Sequence, residues 1–476
     1  MKVAGSDCLA LLPLVILAAT SIAVMVGVAI RRSHALSASL TFAGLAISFG
    51  SLWIAAPQLP RQVTPLLTID QYALFYIGLI VAASMVFVLL AYGYIEKFEG
   101  DHDELYILML VATLGSAVLV ASSHFVSLFL GLELLSVSLY AMIAYPRRRP
   151  LPLEAGIKYL VLAAVSAAFL LFGMALIYGA LGTMEFRGIA AQLAHPGFDR
   201  WLVLPGTALI VTGFGFKLAV VPFHLWTPDV YEGAPAPVTA YIATVSKGAM
   251  FALLLRYFYQ TGANRQAPLF LVFSAIAIAS MFAGNILALL QNNVKRILAY
   301  SSIAHLGYLL VAFLASGDLA PTAGAFYLVA YFVTTLGAFG VVGVLSDNTK
   351  DADSLEAYQG LFWSRPVLAA VFTAMLFSLA GIPVTAGFIG KFYVVAAGAS
   401  AALWSLVIIL VTTSAIGLFY YLRIVVVLYA KGKHAKVGPA ITAPGTLALI
   451  VLTAALVFLG LFPQPLLALI RNLALI

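Results

Sequence analysis

Four ionisable side chains stand near the middle of long apolar stretches: Glu133 in LFLGLELLSVSLYAM, Lys217 in TGFGFKLAVVPFHLW, Lys247 in YIATVSKGAMFALLL and Lys391 in TAGFIGKFYVV. A charge at the centre of a membrane span costs about 2.5–3.5 kcal/mol on insertion scales, so the four cost on the order of 10 kcal/mol before pairing. That is comparable with the whole stability of an ordinary domain. Mutual ion pairs or snorkelling lysines offer a purely structural account. One carboxylate against three lysines nevertheless leaves charge unbalanced. Lysines in a low dielectric are brought into the range where protons exchange, a nearby carboxylate holds one charged, and moving that partner releases the proton. The chemistry open to the set is therefore proton exchange.

A second tier surrounds these four. Glu154 and Lys158 are spaced i,i+4 with the glutamate N-terminal, the favourable order for a helix pair. They read either as an interfacial pair or as the cytoplasmic mouth of a proton path. His224 and His305 have the right chemistry to relay protons near neutral pH, and equally suit hydrogen-bonded packing. Asp229 and Glu232, in the Pro-rich WTPDVYEGAPAP, are expected in solvated turn.

Two spans that carry lysines also carry prolines: Lys217 precedes Pro222, and in LFSLAGIPVTAGFIGKFY Pro383 precedes Lys391. Proline removes a backbone donor and clashes with the preceding turn. At membrane depth the freed groups survive only inside protein or against a water-filled cavity. A pair of interrupted helices in corresponding halves of a chain points to a transport site.

The elements that position these residues follow from composition. Of 476 residues 63% are apolar and 9% charged, with a mean hydropathy of +1.07. Such a chain is a polytopic all-α membrane protein, since the apolar runs are continuous and lack the short alternation of a β-barrel. At about 20 residues per span, fourteen spans fit. They fall near 9–30, 35–56, 71–94, 105–122, 125–145, 154–182, a broken 202–229, 236–258, 268–290, 296–316, 321–346, a broken 366–397, 401–429 and 443–469. The first, ending at Arg31-Arg32, is too long for a signal-peptide core and is expected to be uncleaved. The single cysteine, Cys8, leaves no disulfide framework and no cysteine-ligated cluster, and the seven histidines lack the spacing of a metal or haem pair. No phosphate loop or GxSxG is present. No metal or cofactor is expected in this chain.

Loops after odd-numbered spans carry thirteen basic residues: Arg31, Arg32, Lys97, Arg147, Arg148, Arg149, Lys295, Arg296, Lys350, Arg365, Lys431, Lys433 and Lys436. The opposite side carries seven: Lys2, Arg61, Arg187, Arg200, Arg256, Arg265 and Arg471. The positive-inside rule places the first set in the cytoplasm and both termini outside. Lys158, Lys217, Lys247, Lys391 and Arg423 fall within spans, with Lys158 and Arg423 near enough to the ends to snorkel. The net charge of +7 is thus a topology signal and gives no reason to expect a nucleic-acid partner.

The breaks fall in spans seven and twelve. A unit of five spans reverses orientation when repeated, so spans 4–8 and 9–13 are expected to form inverted repeats. The corresponding divisions are 1–104, 105–258, 268–430 and 431–476.

The segments FGFKLAVVPFHLWTPDVYEGAPAPVTAYIATVSKGAMFALL, NNVKRILAYSSIAHLGYLL and LAGIPVTAGFIGKFY together resemble the antiporter-like subunits of respiratory complex I, whose superfamily includes Mrp-type cation/proton antiporters and membrane-bound hydrogenase subunits. The resemblance covers about 9–470 and is strongest to the N-type branch, which has a lysine at the Lys391 position and no long C-terminal lateral helix. It implies fourteen helices with inverted repeats, and one proton moved per cycle between half-channels. By position it implies that Glu133 pairs with Lys217, that Lys247 links onward, that Lys391 lies near the exit and that Lys158 is a helix-six basic residue. His305 is expected to connect Lys247 to Lys391 through water. The resemblance also implies a multi-pass protein of the bacterial inner membrane without a redox site, with FMN, iron–sulfur clusters and quinone in other subunits. The implied neighbours are the M subunit, the small K, J and A subunits and the lateral helix of L. The alternatives are a stand-alone or Mrp-type Na⁺/H⁺ antiporter, a hydrogenase-linked pump subunit, and a scaffold whose charges only hold helices together.

Overall fold

The computed structural model describes residues 5–98, 100, 102–195, 197, 199–263, 266–315, 319–431 and 441–471, and statements of absence below refer to these. The topology cations Lys2, Arg265, Lys433 and Lys436 lie outside them. Apart from a short antiparallel hairpin, Arg61–Thr64 with Leu67–Ile69, the regular structure is helical. Thirteen described helices are long and apolar enough to cross a membrane. Their bounds follow the expected spans closely: Phe125–Ile143 for 125–145, Ala267–Leu289 for 268–290 and Trp404–Tyr429 for 401–429. The span expected at 154–182 is a 32-residue helix, Pro150–Leu181. The last expected span divides into Ala443–Leu461 and Gln464–Arg471, because Pro463 cannot donate to the preceding turn.

Both expected breaks are present. The first lysine helix, Arg200–Leu218, ends at Ala219 in the left-handed region (φ 59°), and the chain resumes as Trp226–Gly233. The second, Pro366–Ala380, ends at Gly381 (φ 83°), where the absence of a Cβ makes that conformation cheap, and resumes as Ala386–Ser400. The freed backbone groups find partners. Trp226 Nε1 donates to Phe216 O at 3.0 Å, and Val221 N donates to Ser280 Oγ at 2.9 Å.

The core runs along two helices. Ala236–Gln260 is buried over its full hydrophobic window, and Val294–Ala315 nearly so. Leu12–Ile30 lies at the periphery with Ile22, Met25 and Ile30 exposed, as suits a lipid-facing helix. One irregularity had no sequence signal. A π-helical turn, Ile242–Ser246, immediately precedes Lys247, a kind of insertion that recurs at functional positions.

Two basic residues assigned to loops are buried. Arg256 belongs to the helix ending at Gln260 and is paired bidentately with Asp70, so Glu133 is not the most buried carboxylate. Lys295 opens the helix Val294–Ala315, where its Nζ donates to Asp351 Oδ2 and to the carbonyls of Glu232 and Ala234. Both sit at the end of an apolar run, where sequence alone cannot tell a loop cation from one folded inward against a distant carboxylate. Arg423 directs its guanidinium to the carbonyls of Leu289 and Gln291, at and just beyond the end of the helix Ala267–Leu289.

Candidate functional site: a row of buried lysines

Lys217 occupies the last turn of its half-helix and is buried. Its Nζ donates to Ser136 Oγ at 2.7 Å and faces the Tyr159 ring at 5.5 Å. Ser136 lies three residues after Glu133 on Phe125–Ile143, and its hydroxyl donates a hydrogen bond to Leu132 O at 2.6 Å. The expected direct Glu133–Lys217 pair is therefore replaced. Among the described residues no ion pair joins them, Glu133 Oε1 is buried without a hydrogen bond, and the two charges attract across the gap. The reason is reach, since the ammonium meets the hydroxyl one turn along the same face before it meets the carboxylate.

Lys247, just past the π turn, is sealed from solvent. Its Nζ donates to Ser302 Oγ at 2.7 Å. Tyr331 donates to the same oxygen at 2.7 Å, and the Tyr231 hydroxyl is 3.4 Å away. Between Lys217 and Lys247 stand aromatic faces: Tyr159 against Trp226 with centroids 4.8 Å apart, Trp226 against Tyr231 at 6.5 Å, and Lys247 over Tyr231 at 5.2 Å.

His305 sits one turn beyond Ser302. Its Nδ1 is 2.7 Å from Tyr327 Oη and its Nε2 3.1 Å from Tyr421 Oη, which also bonds Ser301. The imidazole, Tyr327, Tyr331, Thr334 and Lys391 line one cavity of about 10 Å³, the scale of a single water molecule. Lys391 completes the row. Its Nζ donates to the carbonyls of Leu379 and Ala380 at 2.9 and 2.8 Å and to Ser414 Oγ at 2.8 Å. Those carbonyls end the preceding half-helix, where a cation is favoured by the helix dipole. Polar contacts thus run from Lys247 through Ser302 and Tyr331 to the cavity and Lys391.

His224 lies in the first break, buried, with Nδ1 lacking a hydrogen bond, and does not join this row. Glu154 and Lys158 do form their pair at 2.8 Å, and Lys158 also meets Asp229 at 3.1 Å. Asp229 and Glu232 are not in solvated turn: both belong to the helix Trp226–Gly233 and share Arg296, at 2.9 and 2.7 Å. Partial burial pushes the Asp229 carboxyl up, but hydrogen bonds from Arg296 and Lys158 outweigh it and hold the group below the ordinary carboxylate value. Sequence reasoning missed Ser136, Ser302, Ser414, Tyr327, Tyr331 and Tyr421. Ser136 and Ser302 carried a usable signal, each lying three residues from a named residue on the same helix face.

A multi-span helical bundle with two broken helices that present buried lysines along one internal row is the architecture of an ion-translocating membrane subunit. The comparisons narrow the class. Residues 122–417 match the model of the family "NADH:quinone oxidoreductase/Mrp antiporter, TM". NADH-quinone oxidoreductase subunit N of Nitrosospira multiformis is 56% identical over 98% of this chain and 96% of that protein, and that of Ectopseudomonas mendocina 50% over 98% and 97%. A chain of respiratory complex I from Thermus thermophilus, solved with bound aureothin, superposes with a TM-score of 0.82 at 33% identity, covering 96% of this chain and 98% of that one. The Mrp complex of a Dietzia species shares the fold, with a TM-score of 0.85 at 20% identity over 98% and 96%. The chain belongs to the NADH:quinone oxidoreductase/Mrp antiporter family and, within it, to the subunit N branch.

Proposed function

We propose that this chain is a proton-translocating membrane-arm subunit of NADH:quinone oxidoreductase, with Lys217, Lys247 and Lys391 as successive proton carriers. The observation that carries the reading is the polar contact of Lys247 with Ser302 and of Ser302 with Tyr331, which lines the same small buried cavity as Lys391. Glu133 sets the charge state of Lys217 through its field. Glu154, Lys158 and Asp229 form the cytoplasmic mouth, and His305 relays beside Lys391. Redox energy reaches the row as a change of field, because the lysines themselves cannot be oxidised or reduced.

The finer architecture belongs to the same proposal. Joining Pro366–Ala380 to Ala386–Ser400 as one broken span gives fourteen, with spans 4–8 and 9–13 as inverted repeats flanked by three N-terminal spans and one C-terminal span. Matching glycine contacts support the repeat. A Cβ on Gly115 would lie 2.7 Å from Leu135 N on the following helix, and one on Gly284 would lie 2.6 Å from Ala304 N on its own following helix. Close backbone approach of this kind is how membrane helices associate. Both termini are assigned to the periplasmic face of a bacterial inner membrane, following the distribution of Lys and Arg. FMN, iron–sulfur clusters and quinone are assigned to other subunits, and the M, K, J and A subunits with the lateral helix of L are the proposed neighbours.

The test is the number of protons moved per electron in assembled complex carrying Lys217→Ala or Glu133→Ala. Both variants should pump poorly or not at all. Full pumping with normal quinone reduction in both overturns the reading. Na⁺-driven proton flux by the reconstituted chain alone would favour an autonomous antiporter, and failure of both variants to assemble would favour a scaffold.

A further inference from the structure

Each of the three central lysines donates to a serine hydroxyl on another helix: Lys217 to Ser136, Lys247 to Ser302 and Lys391 to Ser414, at 2.7, 2.7 and 2.8 Å. We propose that Ser136 and Ser302 are positioning residues for proton transfer, whose hydroxyls keep Lys217 and Lys247 hydrogen-bonded in both the ammonium and the amine state.

The argument is one of donor and acceptor inventory. An ammonium has three donors and no acceptor, whereas a neutral amine exposes a lone pair. A carbonyl or carboxylate can only accept, so it serves the N–H groups of either form but leaves the amine lone pair without a partner. A hydroxyl accepts from the ammonium and, turned about its C–O bond, donates to the amine. When a proton leaves, the partner atom stays in place and only the hydroxyl hydrogen swings. Ser136 has that freedom, because its hydrogen rests on Leu132 O while its oxygen accepts from Lys217. Ser302 accepts from both Lys247 and Tyr331, leaving its own hydrogen to face the Tyr231 oxygen or an amine at Lys247.

Lys391 has a hydroxyl partner of the same kind. Besides Ser414 its Nζ has the carbonyls of Leu379 and Ala380, which accept from the N–H groups of either form. This inference rests on the lysine row being the proton path.

The experiment measures protons moved per electron, and the dependence of that ratio on pH, in membranes containing the whole complex with Ser302→Ala, Ser302→Thr or Lys247→Ala. The groups facing Lys247 are the Tyr231 and Tyr331 hydroxyls and, further off, His305, with no carboxylate in contact among the described residues. Ser302→Ala should lower the ratio and displace its pH profile by about one unit, the effect of one lost hydrogen bond to a charged group. Ser302→Thr, which keeps the hydroxyl, should restore both. Wild-type ratio and profile in Ser302→Ala, with Lys247→Ala inactive, overturns the serine proposal and leaves the lysine reading standing. Normal pumping by Lys247→Ala removes the lysine reading, and the inference with it. Should Ser302→Ala fail to assemble, Ser136→Ala and Ser136→Thr decide the matter at Lys217, which is faced by Glu133 and Tyr159, with Tyr140 beside Glu133 and Ser136. An Ala variant there with the wild-type ratio and profile again overturns the proposal.

Discussion

Arg256 holds Asp70 through two hydrogen bonds, Nη1 to Oδ2 at 2.9 Å and Nη2 to Oδ1 at 2.7 Å, with both side chains sealed from solvent. Asp70 also caps its own helix by accepting from Ala73 N at 2.7 Å, and the guanidinium lies 5.0 Å from the Tyr72 ring. This contact fastens the N-terminal helices to the Lys247 helix. Removing one partner strands the other charge, at a cost of about 3–5 kcal/mol. Asp70→Ala should therefore lower the thermal stability of the purified complex sharply. Asp70→Leu combined with Arg256→Met should recover most of the loss, since apolar replacement of a buried pair is often neutral. Equal stability of Asp70→Ala and the parent would show that the pair holds nothing.

The mouth cluster predicts a pH dependence. The carboxyl of Asp229 is held below its ordinary value by Arg296 and Lys158. A depressed carboxyl contributes stability that is complete above the unfolded value, about 3.9, and is lost as pH falls through the lower folded value. Melting of the detergent-solubilised complex below about pH 4 should accordingly be less steep with pH in Asp229→Asn than in the parent. Identical slopes would remove Asp229 from the stability account.

How much of this was legible in the sequence depends on the range of the interaction. Spans follow from unbroken apolar runs, and both helix breaks follow from Pro222 and Pro383 beside buried lysines, all local features. Arg256 was misassigned because its partner Asp70 is 186 residues away, and at the end of an apolar run a paired cation looks like a loop cation. Ser136 was missed for a different reason. Serine is ordinary in membrane helices, so its place on the face of Glu133 is a weak signal until Lys217 approaches it from another helix. The π turn before Lys247 left no mark, for its residues, Ile242–Ser246, suit an α-helix as well.

Two glycines should respond in opposite directions. A Cβ at Gly284 would stand 2.6 Å from Ala304 N and 2.7 Å from Tyr300 O, backbone that cannot move aside, whereas nothing lies within 4 Å of one at Gly179. Gly284→Leu should cost at least the 1–3 kcal/mol or so of an overpacked core and reduce the amount of assembled complex. Gly179→Ala, inside the helix Pro150–Leu181, should leave assembly intact and stabilise by roughly 0.5–1 kcal/mol. Quantifying the assembled subunit by native electrophoresis separates the two, and equal yields would show that the Gly284 contact is not tight.

Lys391 has a structural duty that can be separated from any part in proton movement. Its amine satisfies the carbonyls of Leu379 and Ala380, left open by the second helix break. Lys391→Met keeps the length of the side chain and removes the donors, leaving two carbonyls with a penalty of about 1–3 kcal/mol each unless water replaces the amine. Lys391→Arg retains donors that reach the same oxygens but stays charged at every accessible pH. If the amine only caps the half-helix, arginine should restore both stability and pumping. If it also carries protons, arginine should restore thermal stability and leave pumping low. Measuring melting temperature and protons per electron on the same three preparations resolves the two duties, and an arginine variant that pumps like the parent would confine Lys391 to holding the broken helix together.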